Sequence, residues 1–319
     1  MKKLILRILP LADIVLVLLV YPAAWLLKGI RKAGVNRLPL CKNALMNVGV
    51  FPISDHYYEP QFDNRNPRID FSQDRILPGI DWNIPEQLTM LASLVLADEL
   101  VDTPQMKTES LEFHFNNNAF ESGDAEYWYQ IIRKVKPRKI YEIGSGNSTL
   151  MAVNAIRKNK CDDPDYRCEH ICIEPYEMPW LEEAGISVVR KKVEEVELSF
   201  FSQLQENDIL FIDSTHIIRP QGDVLFEYLE LLPTLNTGVI VHIHDIFSPK
   251  NYLTQWLKEE VRFWNEQYLL EAFLSHNNNW KIIGALNYLQ HNHFEDLKSV
   301  APFLTPGREP GSFYIQKIA

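Results

Sequence analysis

The chain begins with its most apolar stretch. Ile8 to Leu27 run for twenty residues with one charge, Asp13, and two prolines, Pro10 and Pro22. Lys2, Lys3 and Arg7 precede the run, and Lys28, Arg31, Lys32 and Arg37 follow it. At about 1.5 Å per residue, a helix of this length just crosses a hydrocarbon core of ~30 Å. A basic start before an apolar run also suits a cleaved signal peptide. Here the run is long, and basic residues stand where a small-residue cleavage site belongs. Residues 1–35 are therefore expected to be a retained membrane segment. It could span the bilayer, enter and leave on one face as a kinked helix, or lie in the interface with its basic side chains near acidic headgroups. Basic charge is nearly balanced across the run, so orientation stays open. Each arrangement puts the remaining chain at a membrane surface.

Residues 36–120 show little periodicity and many aromatic, Asn, Asp and Pro residues. Phe51 to Pro60 and Leu77 to Trp82 read as loops with aromatic anchors. Between the second loop and the following domain, Ile84 to Leu100 carries apolar residues at Leu88, Leu91, Leu94 and Val95, which predicts a helix. The region is too aromatic for a flexible linker, and is expected to be a cap or substrate-facing extension. Asp55, His56, Tyr57 and Tyr58 within it either line an acceptor site or anchor a buried loop.

From about residue 121 strand and helix patterns alternate. Predicted helices cover Asp124–Val135, Ser148–Lys158, Pro179–Ala184, a stretch around Glu195–Leu204, Asp223–Leu232 and a long Leu253–Leu274. Predicted strands cover Lys139–Ile143, His170–Ile173, Ser187–Val189, Asp208–Ile212, Gly238–Ile243, Lys281–Leu286 and Ser312–Ile318. Strands separated by helices need parallel crossovers and a sheet covered on both faces. The expected domain, residues 121–319, is α/β: a Rossmann-like, doubly wound, seven-stranded sheet. No comparable helix is predicted between the last two strands, so the last is expected to be an antiparallel edge strand.

Composition narrows the function classes. The chain has 319 residues, 46% hydrophobic and 11% aromatic, which supplies ample core material and excludes general disorder. A net charge of −10 argues against nucleic acid as a ligand. Four cysteines do not make a disulfide framework. Cys161, Cys168 and Cys172 contain no CxxC pair, and no zinc site is expected from them. His291 and His293, in a polar stretch, read as surface residues.

In a doubly wound sheet, ligands bind beyond the carboxyl ends of the strands. Four strand ends carry polar residues there. Glu142-Ile143-Gly144-Ser145-Gly146-Asn147-Ser148-Thr149 joins a strand to a helix, and its glycines allow a tight turn and close approach of a ligand to the backbone. The helix that follows presents unpaired amides. Glu174 ends the next strand, where a carboxylate can accept both ribose hydroxyls. The third glycine of dinucleotide motifs is missing, which disfavours a pyrophosphate cofactor. Asp213-Ser214-Thr215-His216 and His242-Ile243-His244-Asp245 end the remaining two strands. Two carboxylates and up to three imidazoles converging there could hold a hard divalent ion or act as bases.

This order of residues resembles the class I S-adenosylmethionine-dependent methyltransferases. The text of Glu142–Thr149, Leu210–His216, His242–Phe247 and Trp264-Asn265-Glu266-Gln267-Tyr268 resembles the bacterial methyltransferase domain 24 type, common among polysaccharide-biosynthesis enzymes. The resemblance implies that Gly144 and Gly146 pass under the methionine part of the cofactor. Ser145, Asn147 and Ser148 complete that loop, Glu174 takes the ribose, and Glu194 borders the adenine. Glu142 would order the loop and meet the cofactor's ammonium group. Asp213 and Asp245 match the places where some small-molecule O-methyltransferases of this class bind magnesium. Those enzymes often supply an Asn or acidic third ligand, where this chain offers His244 and Ile246. An imidazole base, His216 or His244, is the competing assignment.

The implied reaction is methyl transfer from the sulfonium to an acceptor, most simply a hydroxyl of a glycan or lipid-linked glycan intermediate at the membrane, with the catalytic domain facing the cytoplasm. A sugar hydroxyl is a poor nucleophile at neutral pH and needs a base or metal, which gives Asp213, His216, His244 and Asp245 a reason to converge. Trp264–Tyr268 either reaches a carbohydrate or forms the polar outer face of a packed helix. A non-catalytic scaffold in a polysaccharide assembly complex is the alternative from another class. A nicotinamide-dependent enzyme is disfavoured by the missing glycine.

Overall fold

The computed structural model describes residues 2–53, 59–62, 64, 67–176 and 178–319, with side chains from Leu9 onward. Asp55, His56, Tyr57 and Tyr58 lie outside the described residues. The chain divides into two units, Met1–Arg68 and Ile69–Ala319.

In the first unit, helix α1 (Lys2–Ala33) is continuous, with Pro10 and Pro22 inside it. Its Leu9–Ala33 portion is long and apolar enough to cross a membrane, and none of its apolar window is buried. Leu11, Ile14, Leu18, Leu19 and Trp25 are each more than half exposed. At the end of α1, the Arg31 guanidinium donates to both carboxylate oxygens of Glu59, at 2.8 and 2.7 Å.

The second unit is a seven-stranded sheet: β1 (Lys139–Ile143), β2 (Glu169–Ile173), β3 (Ser187–Val189), β4 (Ile209–Ile212), β5 (Ile240–Ile243), β6 (Trp280–Ala285) and β7 (Phe313–Lys317). Its order is β3-β2-β1-β4-β5-β7-β6. Strands β1 to β5 are parallel, and β7 pairs antiparallel with both β5 and β6. The last strand is antiparallel as expected, but it is not at the edge. It inserts between β5 and β6, leaving β6 outermost. Two short helices, Leu286–Asn292 and Phe294–Val300, separate β6 from β7 where none was predicted. Each is only seven residues long, too short to show a helical period clearly.

Side chains alternate between the two faces of the sheet. Ile140, Ile209, Phe211, Ile240 and Tyr314 enter one core with helices Asp124–Val135 and Asn147–Asp162. Tyr141, Leu210, Ile212, Val241 and Ile243 enter the other with Phe201, Val224, Tyr228 and Leu231. Residues 69–120 share the first core through Leu91, Leu94, Leu100, Phe113, Phe115 and Phe120. The side-chain amide of Gln87 accepts the Ala285 N–H at 2.7 Å and donates to the Trp82 carbonyl at 2.6 Å.

Three predicted helices are corrected. Ile84–Leu100 is helical only to Ala92, followed by a 3₁₀ turn at Ala97–Leu100. Glu195–Leu204 reduces to a 3₁₀ turn, Val193–Glu195, and a single turn, Leu198–Phe201. Leu253–Leu274 is broken into Thr254–Lys258 and Glu266–Leu274. Val261, between the two pieces, has φ +56°. Arg262 lies between the Trp256 and Trp264 rings, 4.6 and 4.7 Å from their centroids. These tertiary contacts override a periodicity that runs straight through.

Candidate active site

The sheet ladder continues past the strand ends and aligns the polar residues. Gly144 N–H donates to the Ile173 carbonyl at 3.2 Å, Asp213 N–H to Ile143 at 2.9 Å and His244 N–H to Ile212 at 2.9 Å. Gly144 has φ +84°, and a Cβ there would lie 2.2 Å from the Asp213 carbonyl oxygen. Only glycine therefore fits where β1 passes the end of β4. Around Gly146 the reverse holds: a Cβ would meet nothing within 4 Å, so the backbone faces open space.

A cavity of about 390 Å³ lies above these ends, lined by Gly144, Glu174, Glu194, Asp213, Thr215 and Arg219 among others. That volume falls in the range of small-molecule and cofactor sites, roughly 300–1,000 Å³. Glu174 reaches it from β2, accepting the Tyr176 N–H at 3.1 Å and facing the Ser145 hydroxyl at 3.3 Å. Gly144, Ser145, Gly146 and Asn147 are half-buried, while Ser148 is buried.

Glu142 is fully buried and does not line the cavity. Its carboxylate accepts the Ser148 hydroxyl at 3.1 Å and the Thr149 hydroxyl at 3.0 Å, and is hydrogen-bonded to His170. These bonds tie the strand to the first turn of the next helix. Cys172 stands near the same carboxylate. Among the described residues, Cys161, Cys168 and Cys172 form no common ligand group.

Asp213 connects the cavity to a second group of side chains. His216 Nε2 lies 3.3 Å from Asp213 Oδ1 and 3.6 Å from Asp245 Oδ2. His244 Nδ1 lies 3.7 Å from Asp213 Oδ1 and 3.6 Å from Asp245 Oδ1. The two imidazoles thus flank the two carboxylates. Their side chains are only 5% and 6% exposed, whereas Asp213 is 37% exposed. His216 and Asp245 both have positive φ, +59° and +58°, conformations that non-glycine residues adopt uncommonly and that gather at functional sites.

The third imidazole does not join them. His242 is fully buried on the other side of the strand end, stacked on Tyr314 at 4.1 Å and bonded through Nε2 to the Ser312 hydroxyl at 2.8 Å. Burial pushes its ring well below the ordinary histidine value, so it stays neutral.

In the cluster, charge opposes burial. Burial pushes the Asp213 carboxyl up, but hydrogen bonding to His216 and His244 outweighs it and holds the group below the ordinary range. Burial pushes His216 down, and its bonds to Asp213 and Glu266 raise it well above the usual value instead. His244 rises in the same way, burial being outweighed by the Asp245 charge and by Asp124 and Asp213. Asp245 is pushed up, chiefly by burial.

Two members of this group were not picked out as site residues from the sequence. Glu266 is fully buried and accepts from His216 Nδ1 at 2.7 Å and from the Tyr228 hydroxyl at 2.9 Å. Asp124 lies 3.8 Å from His244 Nε2 and accepts the Ser312 N–H at 2.7 Å. The only signal for Glu266 was its place in the Trp264–Tyr268 segment. That segment is not a polar outer face: Asn265 accepts the Ile218 N–H at 2.6 Å, and Gln267 accepts the Phe247 N–H at 2.6 Å. Trp264 packs on His216 with 4.3 Å between ring centroids.

Residues 141–246, which hold the four strand ends, match the model of a methyltransferase domain family. The chain is 32% identical over 173 residues to an uncharacterized protein of Archaeoglobus fulgidus, covering 50% of this chain and 76% of that one. Among solved structures it is similar to cmcI with Mg and S-adenosylmethionine: 14% identity, 70% of this chain and 84% of that one, TM-score 0.38. It is also similar to the apo form of CalS11, a TDP-rhamnose 3'-O-methyltransferase of calicheamicin biosynthesis: 15% identity, 74% and 95% coverage, TM-score 0.38. The protein is a class I S-adenosylmethionine-dependent methyltransferase. Within that class it belongs to the methyltransferase-domain family matched by residues 141–246.

Proposed function

We propose that the protein transfers the methyl group of S-adenosylmethionine to a hydroxyl of a glycan or lipid-linked glycan intermediate at a membrane surface. One observation carries the oxygen-directed part of this reading. Two carboxylates and two imidazoles, Asp213, Asp245, His216 and His244, meet beside the Glu174-bearing cavity, with Asp213 in both. A hydroxyl attacking a sulfonium needs its proton removed, and this cluster supplies acceptors for it.

The residues fit the cofactor. The Glu174 carboxylate would take the ribose hydroxyls, and Glu194, which lines the same cavity, would border the adenine. Loop Gly144–Ser148 would hold the methionine part, and the space over Gly146 is open, with nothing within 4 Å of where a Cβ would stand. Glu142 orders this loop through Ser148 and Thr149. When bound, the cofactor presents an electrophilic methyl carbon on its sulfonium. An acceptor oxygen in line with that carbon would bond to it as the carbon–sulfur bond breaks and S-adenosylhomocysteine leaves, with the hydroxyl proton taken up by the cluster of Asp213, Asp245, His216 and His244. Holding the reactants in line and close supplies much of the acceleration. The apolar Leu9–Ala33 helix supports a membrane-held acceptor and a membrane-associated enzyme whose catalytic unit faces the cytoplasm, where the cofactor is made.

The test is label transfer from methyl-labelled S-adenosylmethionine into glycolipid and lipid-linked glycan extracts by the full chain. Alkali-stable label in the glycan is the expected result. Label confined to protein or to phospholipid nitrogen would sink the acceptor assignment.

A further inference from the structure

A basic stretch free of acidic residues runs through the end of the apolar helix and past it. No Asp or Glu stands between Asp13 and Asp55, and that stretch holds Lys28, Arg31, Lys32, Arg37 and Lys42 in a chain whose net charge is −10. Arg31 is paired with Glu59. Among the described residues, no carboxylate pairs with the other four.

The backbone makes a second helix there. Gly34, with φ +89°, ends α1, and Val35–Arg37 forms a 3₁₀ turn. Helix α2 (Pro39–Val48) starts with proline in its first turn, where the missing N–H has no partner to lose. Gly49 closes it with φ +78°. At about 100° per residue, Leu40, Cys41, Ala44, Leu45 and Val48 share one arc of roughly 140°. Lys42, Asn43 and Asn47 lie on the other side with Met46. None of the ten residues is buried, and Leu40 and Val48 are 83% and 77% exposed. Among the described residues, α2 packs on the 3₁₀ turn and not along α1. A helix this short is marginal in water by itself, so its apolar face calls for a cover.

Both features fit one partner. The apolar arc continues the apolar surface of Leu9–Ala33 beyond a turn, and the positive charge around it complements lipid phosphate. Lys42 borders the arc, so its stem can follow the interface while its ammonium reaches the headgroups. We propose that α2 lies in the headgroup region of a membrane containing anionic phospholipid, with its Leu40–Ala44–Val48 side toward the acyl chains and Lys28, Lys32, Arg37 and Lys42 on the lipid phosphates. This deepens the membrane part of the proposed function, on which it rests, by naming the lipid. It also gives the orientation a physical cause: the negative surface potential of the cytoplasmic leaflet draws these side chains to that side.

The experiment places the full chain in nanodiscs of phosphatidylcholine alone or with about 30% phosphatidylglycerol, one chain to a disc, so that α1 anchors it in both. An uncharged, water-soluble maleimide then probes Cys41, on the apolar arc, with the exposed Cys161 of the second unit as the internal reference. Peptide mass spectrometry separates the two sites. The expected result is Cys41 labelled about tenfold or more slowly in the anionic discs, with Cys161 unchanged. Each basic residue near such a surface strengthens binding by about fivefold. Arg37→Gln with Lys42→Gln should therefore erase the difference between the lipids, as should high salt. Leu40→Ser with Val48→Ser should free Cys41 in both. Equal labelling of the wild type in the two lipids would overturn the proposal. So would slowing that needs two chains in a disc, because a second copy would then be the cover. A chain that enters neither disc removes the membrane reading together with α2. A chain that enters both and transfers methyl label, while Cys41 reacts equally in each, removes only the role of α2.

Discussion

Glu266 holds His216 from behind: its Oε2 is 2.7 Å from Nδ1, on the side of the ring away from Asp213. The two residues are fifty positions apart, joined where the helix Glu266–Leu274 begins under the loop after β4. The carboxylate keeps the proton on Nδ1 in the neutral ring and directs Nε2 toward Asp213 and Asp245. Glu266→Gln should therefore lower methyl transfer by about 10–100-fold while leaving cofactor affinity within about twofold. Label-transfer rates and calorimetry on the same protein check both halves. Equal loss of the two would mean that the substitution acts by unfolding the site.

Gly144 tests the cofactor loop from another direction. Its left-handed backbone and its approach to the Asp213 carbonyl leave no room for a methyl group. Gly144→Ala should cost about 2 kcal/mol or more of stability. It should also displace the Asp213 carbonyl, which that methyl would meet at 2.2 Å. Urea denaturation gives the first quantity, and unchanged stability would contradict the packing described here.

The sequence carried the site unevenly. Glu174, Asp213 and Asp245 were legible because strand ends in an alternating α/β pattern are where polar residues become informative. Their neighbours were not. Glu266 pairs with His216 only through tertiary packing, and Asp124 reads locally as an ordinary helix start. His242 looked like a member of the cluster because it lies two residues before His244, yet it packs between Tyr314 and Phe211 inside the core. The insertion of β7 between β5 and β6 was equally hidden, since hydrophobic alternation marks a strand without naming its partners. The Leu253–Leu274 break was missed because Trp256, Arg262 and Trp264 act through space, not through local propensity.

Residues 69–120 are fixed to the helix Asp124–Val135 partly by Glu99, and this contact gives a pH signature. Glu99 Oε2 accepts from Arg133 Nε at 2.9 Å and from the Tyr129 hydroxyl at 2.7 Å. The Arg133 bond, outweighing burial, holds the Glu99 carboxyl below its ordinary value. A depressed folded-state value means that the contribution is full above the unfolded pKa and is lost as pH falls through the folded one. Glu99→Gln should cost about 2 kcal/mol near neutrality, and much less at a pH below the folded value. Denaturation midpoints across the acid range check this. A loss that did not shrink with acid would contradict it.

The first unit makes a prediction of its own. Among the described residues, Leu11, Ile14, Leu18, Leu19 and Trp25 of its helix α1 are all exposed. The full chain should sediment with membranes and stay there through a carbonate wash, if α1 crosses the bilayer. Release by carbonate would favour an interfacial helix, and recovery in the soluble fraction would remove the membrane from the account.

The central claim is that the Glu174-bearing cavity holds S-adenosylmethionine. Calorimetric titration of the full chain in detergent, wild type beside Glu174→Ala and each with and without divalent metal, tests it most directly. The account predicts saturable binding at one site, weakened about tenfold or more when the carboxylate that takes the ribose is removed. No heat of binding from demonstrably folded protein, or identical affinity in Glu174→Ala, would contradict it.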